Sequence, residues 1–178
     1  MIDLGEWLSE KRLNHSHRVA QTAVILAKKH RCRLDWAFEA GIYHDIAKEL
    51  NLEDLDKLGI KQSRLTKSIY KNYFPVWHAF IAPYILKEVC NIRNREILQA
   101  IRWHTTGRAN MTLLEKVIFI ADYIEPGRSV EDHDHLIQLA LKDIDGAVGE
   151  IIKRTVERVE SKNAKVHPFS LACLDYYQ

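Results

Sequence analysis

Cysteine is scarce in this sequence, and so are long apolar runs. The chain has three cysteines, Cys32, Cys90 and Cys173, which are far apart and lack the spacing of a zinc knuckle or a redox pair. We therefore expect reduced thiols that serve in packing. No basic segment followed by an apolar one stands near residue 1, and no run approaches the length of a membrane span. These absences predict a cytoplasmic protein with no membrane partner.

An excess of one charge is also missing. The formal net charge is +2 over 178 residues, so no strong field of the whole molecule favours a nucleic-acid partner. Hydrophobic residues make up 47% of the chain, which suffices for one well-filled core. We predict a single domain over residues 1–178, with a C-terminal helix and tail at about residues 164–178 packed on it.

Strand-like alternation is nearly absent, and almost every segment repeats with the helical period of 3.6 residues. Helix starts are indicated by an N-cap at Asp35, a first-turn proline at Pro75 and a capping box of Thr112 and Glu115. Helix ends are indicated by the basic residues Lys28-Lys29-His30 and by Pro126-Gly127, and a kink or break is expected at Pro83. A last helical region is predicted from about Asp134, with a break near Asp143 to Gly146. Short helices and loops are expected from Leu50 to Arg64. The predicted fold is all-α.

Histidine and aspartate recur on the apolar faces of these helices. His44 and Asp45 follow the stripe Ala37, Ala40, Gly41, and the same arrangement places His104 after Ile97, Ala100 and Ile101, and Asp122 after Leu114, Val117, Ile118 and Ala121. A buried imidazole or carboxylate loses hydration worth several kcal/mol unless a partner restores it. Because this cost recurs on several helices, we predict that the buried side chains share a metal centre in the helical core.

Six side chains form the predicted ligand set: His15, His44, Asp45, His78, His104 and Asp122. Imidazole and carboxylate ligands without thiolate favour iron, with manganese or zinc as alternatives. Six ligands exceed what one ion takes if it keeps positions open for water and substrate. We therefore expect two metal ions, with Asp45 bridging them at a separation of roughly 3.5 to 4 Å.

The other histidines are predicted to lie outside this set. His17 is two helical steps of about 100° from His15, so it points elsewhere. His30, His133, His135 and His167 stand in charged or loop-like contexts and read as surface or structural residues.

The strings that carry these residues resemble the HD-domain superfamily of metal-dependent phosphohydrolases and, more closely, the YqeK family. They are Arg12-Leu13-Asn14-His15-Ser16, His44-Asp45-Ile46-Ala47-Lys48, Trp77-His78-Ala79, Ala100 to Arg108, and Leu113 to Arg128. The chain departs from the family pattern at Asn110, where glycine is common, at Pro83, and at Cys173-Leu174.

The resemblance implies an all-helical HD domain with a di-iron centre that cleaves diadenosine tetraphosphate symmetrically into two molecules of ADP. Motif matching implies that one ion is held by His15, His44, Asp45 and Asp122, and the other by His78, His104 and the bridging Asp45.

Basic and small residues near the ligands form the expected substrate site. Lys48, at i+4 from His44, would neutralise phosphate oxygens and assist Asp45 in catalysis. Thr105, Gly107 and Arg108 follow His104 where a helix ends and free backbone amides can face an anion. Arg108 and Arg128 are the predicted bidentate phosphate clamps.

Several alternatives stay open. An HD phosphohydrolase could act on a guanosine alarmone, a cyclic nucleotide or a deoxynucleoside triphosphate. A di-iron oxygen-reactive protein could use a similar helical cage, although paired Glu-x-x-His motifs are absent from the sequence. A silent nucleotide-binding module would not need the complete ligand set. Tryptophan and tyrosine side chains at the surface would also suit a homodimer.

Overall fold

Helices form the regular structure of the computed structural model, which describes residues 3–61 and 63–178. A short 3-10 helix (Leu4–Glu6) precedes α1 (Glu10–His30), α2 (Leu34–Tyr43), α3 (Leu52–Lys57), α4 (Arg64–Asn72), α5 (Phe74–Glu88), α6 (Arg95–Trp103), α7 (Leu113–Ile124), α8 (His133–Lys142), α9 (Ile144–Glu160) and α10 (Pro168–Tyr177). Neither described range contains a β-strand. The all-α prediction is confirmed.

Most of the predicted helix boundaries are found in the structure. The Thr112 hydroxyl accepts a hydrogen bond from the backbone N–H of Glu115, and the Glu115 carboxylate accepts one from the N–H of Thr112, so the capping box is confirmed. Asp143 separates α8 from α9 as their shared cap. The predicted N-cap at Asp35 was wrong. Arg33 holds that position, and Asp35 lies in the first turn of α2, where its negative charge suits the helix dipole.

Short elements fill the stretch from 50 to 64, as predicted. Asn51 caps α3 through a second capping box with Asp54. α4 begins at Arg64 after the N-cap Ser63. Gln62 lies outside the described residues.

Two prolines lie in α5. Pro75 occupies its first turn, where the missing N–H costs no helical hydrogen bond. Pro83 lies in the interior, and the helix continues through it to Glu88, so the predicted break does not occur. The flanking side chains Ile81 and Ile85 are fully buried, and this packing holds the helix together despite the lost bond.

The chain leaves the α-helical path at His44. α2 ends at Tyr43, and residues 44–49 form consecutive turns, whereas the sequence pattern predicted a helix that continued to Lys48. The structure shows the reason. The His44 Nδ1 lies 2.7 Å from the carbonyl oxygen of Gly41, which the N–H of Asp45 would use in a continued helix. The His44 side chain therefore occupies the carbonyl that a further helical turn would use.

The helices that carry the predicted ligands pack directly against one another. α1 contacts α2 and α7, α6 contacts α2, α5 and α7, and one buried apolar cluster continues through them. α1 and α2 approach closely at Gly41, where an added Cβ would lie 2.6 Å from the Cα of Ala20. α10 packs on α9. In the described part of the chain, no helix combines the length and apolarity needed to cross a bilayer.

Candidate metal centre

All six predicted ligands meet at one place. His15 comes from α1, His44 and Asp45 from the turn after α2, His78 from α5, His104 from the end of α6, and Asp122 from α7. Five of them are at least 95% buried, and the Asp122 side chain is 19% exposed. The helical period predicted these faces, and the packing of five helices brings them together.

One group of ligand atoms surrounds the first of two positions. The Nε2 of His15 lies 3.0 Å from Oδ1 of Asp122 and 3.3 Å from Nε2 of His44. The Oδ2 of Asp45 lies 3.5 Å from Nε2 of His44 and 3.8 Å from Nε2 of His15. We call this group, His15, His44, Asp122 and Oδ2 of Asp45, the first position.

A second group faces the other oxygen of Asp45. Its Oδ1 lies 3.1 Å from Nε2 of His78 and 3.6 Å from Nε2 of His104. The two Nε2 atoms are 3.1 Å apart. We call this group, His78, His104 and Oδ1 of Asp45, the second position. Asp45 thus presents one carboxylate oxygen to each position, as a bridging ligand would.

The orientation of the rings fits a bound cation. The Nδ1 atoms of His15 and His44 face acceptors, a carboxylate oxygen of Glu125 at 3.0 Å and the carbonyl of Gly41. When each Nδ1 donates its proton, both Nε2 atoms carry lone pairs, and these face each other at 3.3 Å. Two lone pairs at that distance repel unless a cation or proton lies between them. His104 is held similarly, with Nδ1 2.6 Å from the carbonyl of Ile101.

Comparison with known proteins identifies the family of this chain. A family model described as HD domain matches residues 12–127. The chain belongs to the HD domain family. The expectation drawn from the His-Asp strings is confirmed.

Relatives of this HD domain protein match nearly its full length. A Staphylococcus aureus protein named bis(5'-nucleosyl)-tetraphosphatase, symmetrical, is 38% identical over 97% of this chain and 89% of its own. A Bacillus subtilis protein of the same name is 36% identical over 90% of this chain and 86% of its own. A crystal structure from Clostridium acetobutylicum, described as a predicted HD superfamily hydrolase involved in NAD metabolism, has a TM-score of 0.86 at 34% identity and covers 98% of this chain and 92% of that one.

Three cations surround the centre of this HD domain protein. The Arg12 guanidinium lies 2.7 Å from Oδ2 of Asp45, and the Arg128 guanidinium lies 2.5 Å from Oδ1 of Asp122. The Lys48 Nζ lies 3.2 Å from Nε2 of the His78 imidazole. Positive charge is therefore placed beside an imidazole and carboxylate cluster, as suits a polyanionic ligand.

Burial and neighbouring charges set the protonation states. Burial raises the pKa values of Asp45 and Asp122, but the surrounding imidazoles outweigh it and hold both well below their usual range. Burial lowers the pKa of His78 to about 3 and also lowers that of Lys48. Ionised carboxylates beside a neutral imidazole are the states that metal ligation requires.

Three of the predicted substrate-binding residues lie at the centre. Besides Lys48, the Thr105 hydroxyl is 2.8 Å from Nε2 of His104 and 3.3 Å from that of His78. Arg128 contacts Asp122 through one terminal nitrogen, while its Nε is buried without an acceptor in the described part of the chain. The side chain as a whole is 36% exposed, so the terminal nitrogens of its guanidinium group, rather than the buried Nε, are within reach of a ligand.

The other two predicted residues have structural contacts. The Arg108 guanidinium lies 2.9 Å from a carboxylate oxygen of Glu115 and donates to the carbonyl of Ala109. Gly107 has a φ of +60°, and an added Cβ would lie 2.5 Å from Sγ of Cys173 on α10. Both residues shape the connection between α6 and α7 that follows His104.

The sequence pattern gave no role to Arg12, Arg18 or Glu125. Glu125 is 1% exposed and contacts Nδ1 of His15 and the Arg18 guanidinium. The helical period offered a signal, because Arg12 and Arg18 stand three residues either side of His15, and Glu125 stands three after Asp122. Residues at that spacing share a helix face with a ligand.

The remaining histidines lie away from the centre. His17 is exposed, as predicted. His30 and His133 contact backbone carbonyls of Ala140 and Ile124, and His167 caps α10 by accepting a hydrogen bond from a backbone N–H. These contacts fit structural roles.

Proposed function

We propose that this chain is a metal-dependent hydrolase that cleaves diadenosine tetraphosphate symmetrically into two molecules of ADP. The observation that carries the proposal is the two-sided centre, in which Asp45 presents one oxygen to each of two histidine groups and Lys48 and Arg128 supply positive charge beside them. The names of the Staphylococcus aureus and Bacillus subtilis relatives support the choice of substrate.

Two divalent ions are the proposed cofactor, with iron preferred and manganese or zinc as alternatives. His15, His44, Asp122 and Asp45 would hold one ion at the first position, and His78, His104 and Asp45 would hold the other at the second position. Bound there, the ions would lower the pKa of water and neutralise phosphate charge.

The cationic side chains would bind and orient the tetraphosphate. Lys48 and the terminal nitrogens of Arg128 would donate hydrogen bonds to non-bridging oxygens of the two central phosphates. Water would add to one of the two central phosphorus atoms, and the bond from that phosphorus to the central bridging oxygen would break. Each half of the substrate would then leave as ADP. The connection that holds Thr105, Gly107 and Arg108 would contact the outer phosphates.

The decisive experiment separates the products of the reaction. Purified protein, reconstituted with ferrous iron without oxygen, is incubated with diadenosine tetraphosphate, and the nucleotides are resolved by ion exchange. We expect ADP as the sole product. ATP plus AMP would contradict symmetrical cleavage, and no turnover by protein with confirmed metal would refute the substrate. A parallel panel of a guanosine alarmone, a cyclic nucleotide and a deoxynucleoside triphosphate would then identify the alternative.

A matched pair of lysine variants tests the phosphate contact. Lys48→Met keeps the apolar stem and removes a charge that lies at the centre, so we expect kcat/KM to fall by about 10- to 100-fold, the worth of a charge-assisted hydrogen bond. Lys57→Met removes a charge from an exposed lysine paired with Asp54 and should leave kcat/KM unchanged.

A further inference from the structure

The two positions differ in the groups that contact the ring nitrogens of their histidines. At the first position, Nδ1 of His15 faces a carboxylate oxygen of Glu125 at 3.0 Å, while Nδ1 of His44 faces a backbone carbonyl. A carboxylate behind a ligand histidine fixes its tautomer and makes its other nitrogen a stronger donor to a cation. Among the described residues, His15 is the ligand with this charged support.

Glu125 is held rigidly for that role. One of its oxygens accepts hydrogen bonds from Nε of Arg18 at 2.5 Å and from the N–H of Gly127 at 2.6 Å. The other accepts from a terminal nitrogen of Arg18 at 3.2 Å and faces His15. With 1% of its surface exposed, this carboxylate has no room to rotate away. Its position, and hence that of the His15 ring, is fixed before any ligand arrives.

The second position has the opposite environment. The Lys48 Nζ lies 3.4 Å from Nδ1 and 3.2 Å from Nε2 of His78, so a positive charge lies beside the ring. A cation bound between His78 and His104 would be repelled by this ammonium group. This position also has three ligand side chains, including the shared Asp45, against four at the first.

The arginines near the first position reduce this difference without removing it. Arg12 contacts Asp45 and Arg128 contacts Asp122, so each carboxylate there has a positive partner. Both guanidinium side chains are about one-third exposed, with values of 30% and 36%. They can turn toward water or phosphate when a cation binds, because neither is enclosed as Glu125 is.

We infer that the two metal positions have unequal affinities, that the first position fills first because Glu125 supports His15, and that the second position holds an exchangeable ion. Glu125 is thus a positioning residue that acts through His15. Substrate phosphate would strengthen the second position by drawing Lys48 to itself. The inference rests on the metal binding in the proposed function and is independent of the substrate.

Titration of metal-free protein with Mn²⁺, followed by calorimetry and by electron paramagnetic resonance of free Mn²⁺, tests the inference without turnover. We expect two binding steps whose Kd values differ at least about 10-fold. Glu125→Gln should weaken the tight step by about 10- to 100-fold and leave the weak step nearly unchanged. Lys48→Met should tighten the weak step alone, which tests the asymmetry even if the Glu125 variant does not fold.

Glu115→Gln is the matched control. Glu115 is also a buried carboxylate paired with an arginine, but its partner is Arg108 and it lies away from the ligands. Both Kd values should stay unchanged in this variant. Equal Kd values in the unaltered protein, or equal weakening of both steps by Glu125→Gln, would overturn the inference. Two unequal steps in protein that fails to cleave diadenosine tetraphosphate would refute the proposed substrate and leave the inference standing.

Discussion

Replacement of Gly41 by alanine sets two physical effects against each other. Alanine is favoured over glycine in a helix by about 1 kcal/mol, so helix propensity alone predicts a more stable protein. The added Cβ, however, would lie 2.6 Å from the Cα and 3.0 Å from the backbone N of Ala20 on α1. Ordinary contact begins near 3.4 Å, so α1 and α2 must separate by about 0.8 Å. Backbone atoms, unlike a side-chain tip, cannot rotate out of the way.

Overpacking of this kind costs about 1–3 kcal/mol, and contact with backbone places Gly41→Ala at the upper end. After the gain in propensity, we expect a net loss of about 2 kcal/mol in the free energy of unfolding, which lowers the Tm by about 4–8 °C for a chain of this size. Activity should fall too, because α1 carries His15 and the Gly41 carbonyl orients His44.

Thermal denaturation of the metal-free protein, followed by circular dichroism, measures the effect. Gly146→Ala is the comparison, since its Cβ would meet the carboxylate of Asp143, which caps α9, so any loss of Tm there reports the cap and not the approach of two helices. A Gly41→Ala protein with an unchanged or raised Tm would show that the close approach of α1 and α2 is not what holds the centre together.

Three further predictions concern the charged groups of the centre. Asp45→Asn should abolish metal loading at both positions and hydrolysis with it, checked by metal analysis and product assay; a metal-free but active variant would contradict the mechanism. Arg128→Lys should raise KM about 10-fold or more, because an ammonium group cannot contact Asp122 and a phosphate as a planar guanidinium does; unchanged kinetics would remove Arg128 from the phosphate site. Burial lowers the pKa of His78 from 6.5 to about 3, and despite burial Arg18 holds the pKa of Glu125 at about 2. The unfolded chain therefore binds more protons than the folded protein below pH 6.5. Urea titrations of metal-free protein should show that the free energy of unfolding decreases as the pH is lowered from 6.5 to 4. An unchanged free energy of unfolding across this range would contradict these pKa shifts.

The burial of the six candidate ligands could be predicted because its signal is local. A histidine or aspartate at the end of an apolar stripe, as at His104 and Asp122, is costly to bury and needs a partner, whichever helices supply it. The end of α2 could not be predicted in this way. Gly41, His44 and Asp45 continue a helical pattern, whereas in the structure α2 ends at Tyr43 and the His44 imidazole contacts the Gly41 carbonyl.

Supporting contacts were harder to predict than ligands. Arg108 stays a predicted phosphate contact, and its pairing with Glu115 could not be predicted from its place after His104. Glu125 looked like the residue before a helix-stopping proline, yet it lies behind His15, 110 positions away in the chain. A charged side chain has several partners within reach, and packing chooses among them.

The sequence by itself determined the fold class, the helix faces and the chemical type of the centre, because each follows from the spacing of residues within one turn or two. The tertiary structure decided which oxygen of Asp45 faces which histidines. It also placed the Glu125 carboxylate against the His15 imidazole and the Lys48 ammonium group beside that of His78. These arrangements depend on how separate helices pack, and the distances between helices are not written in the period of any one of them.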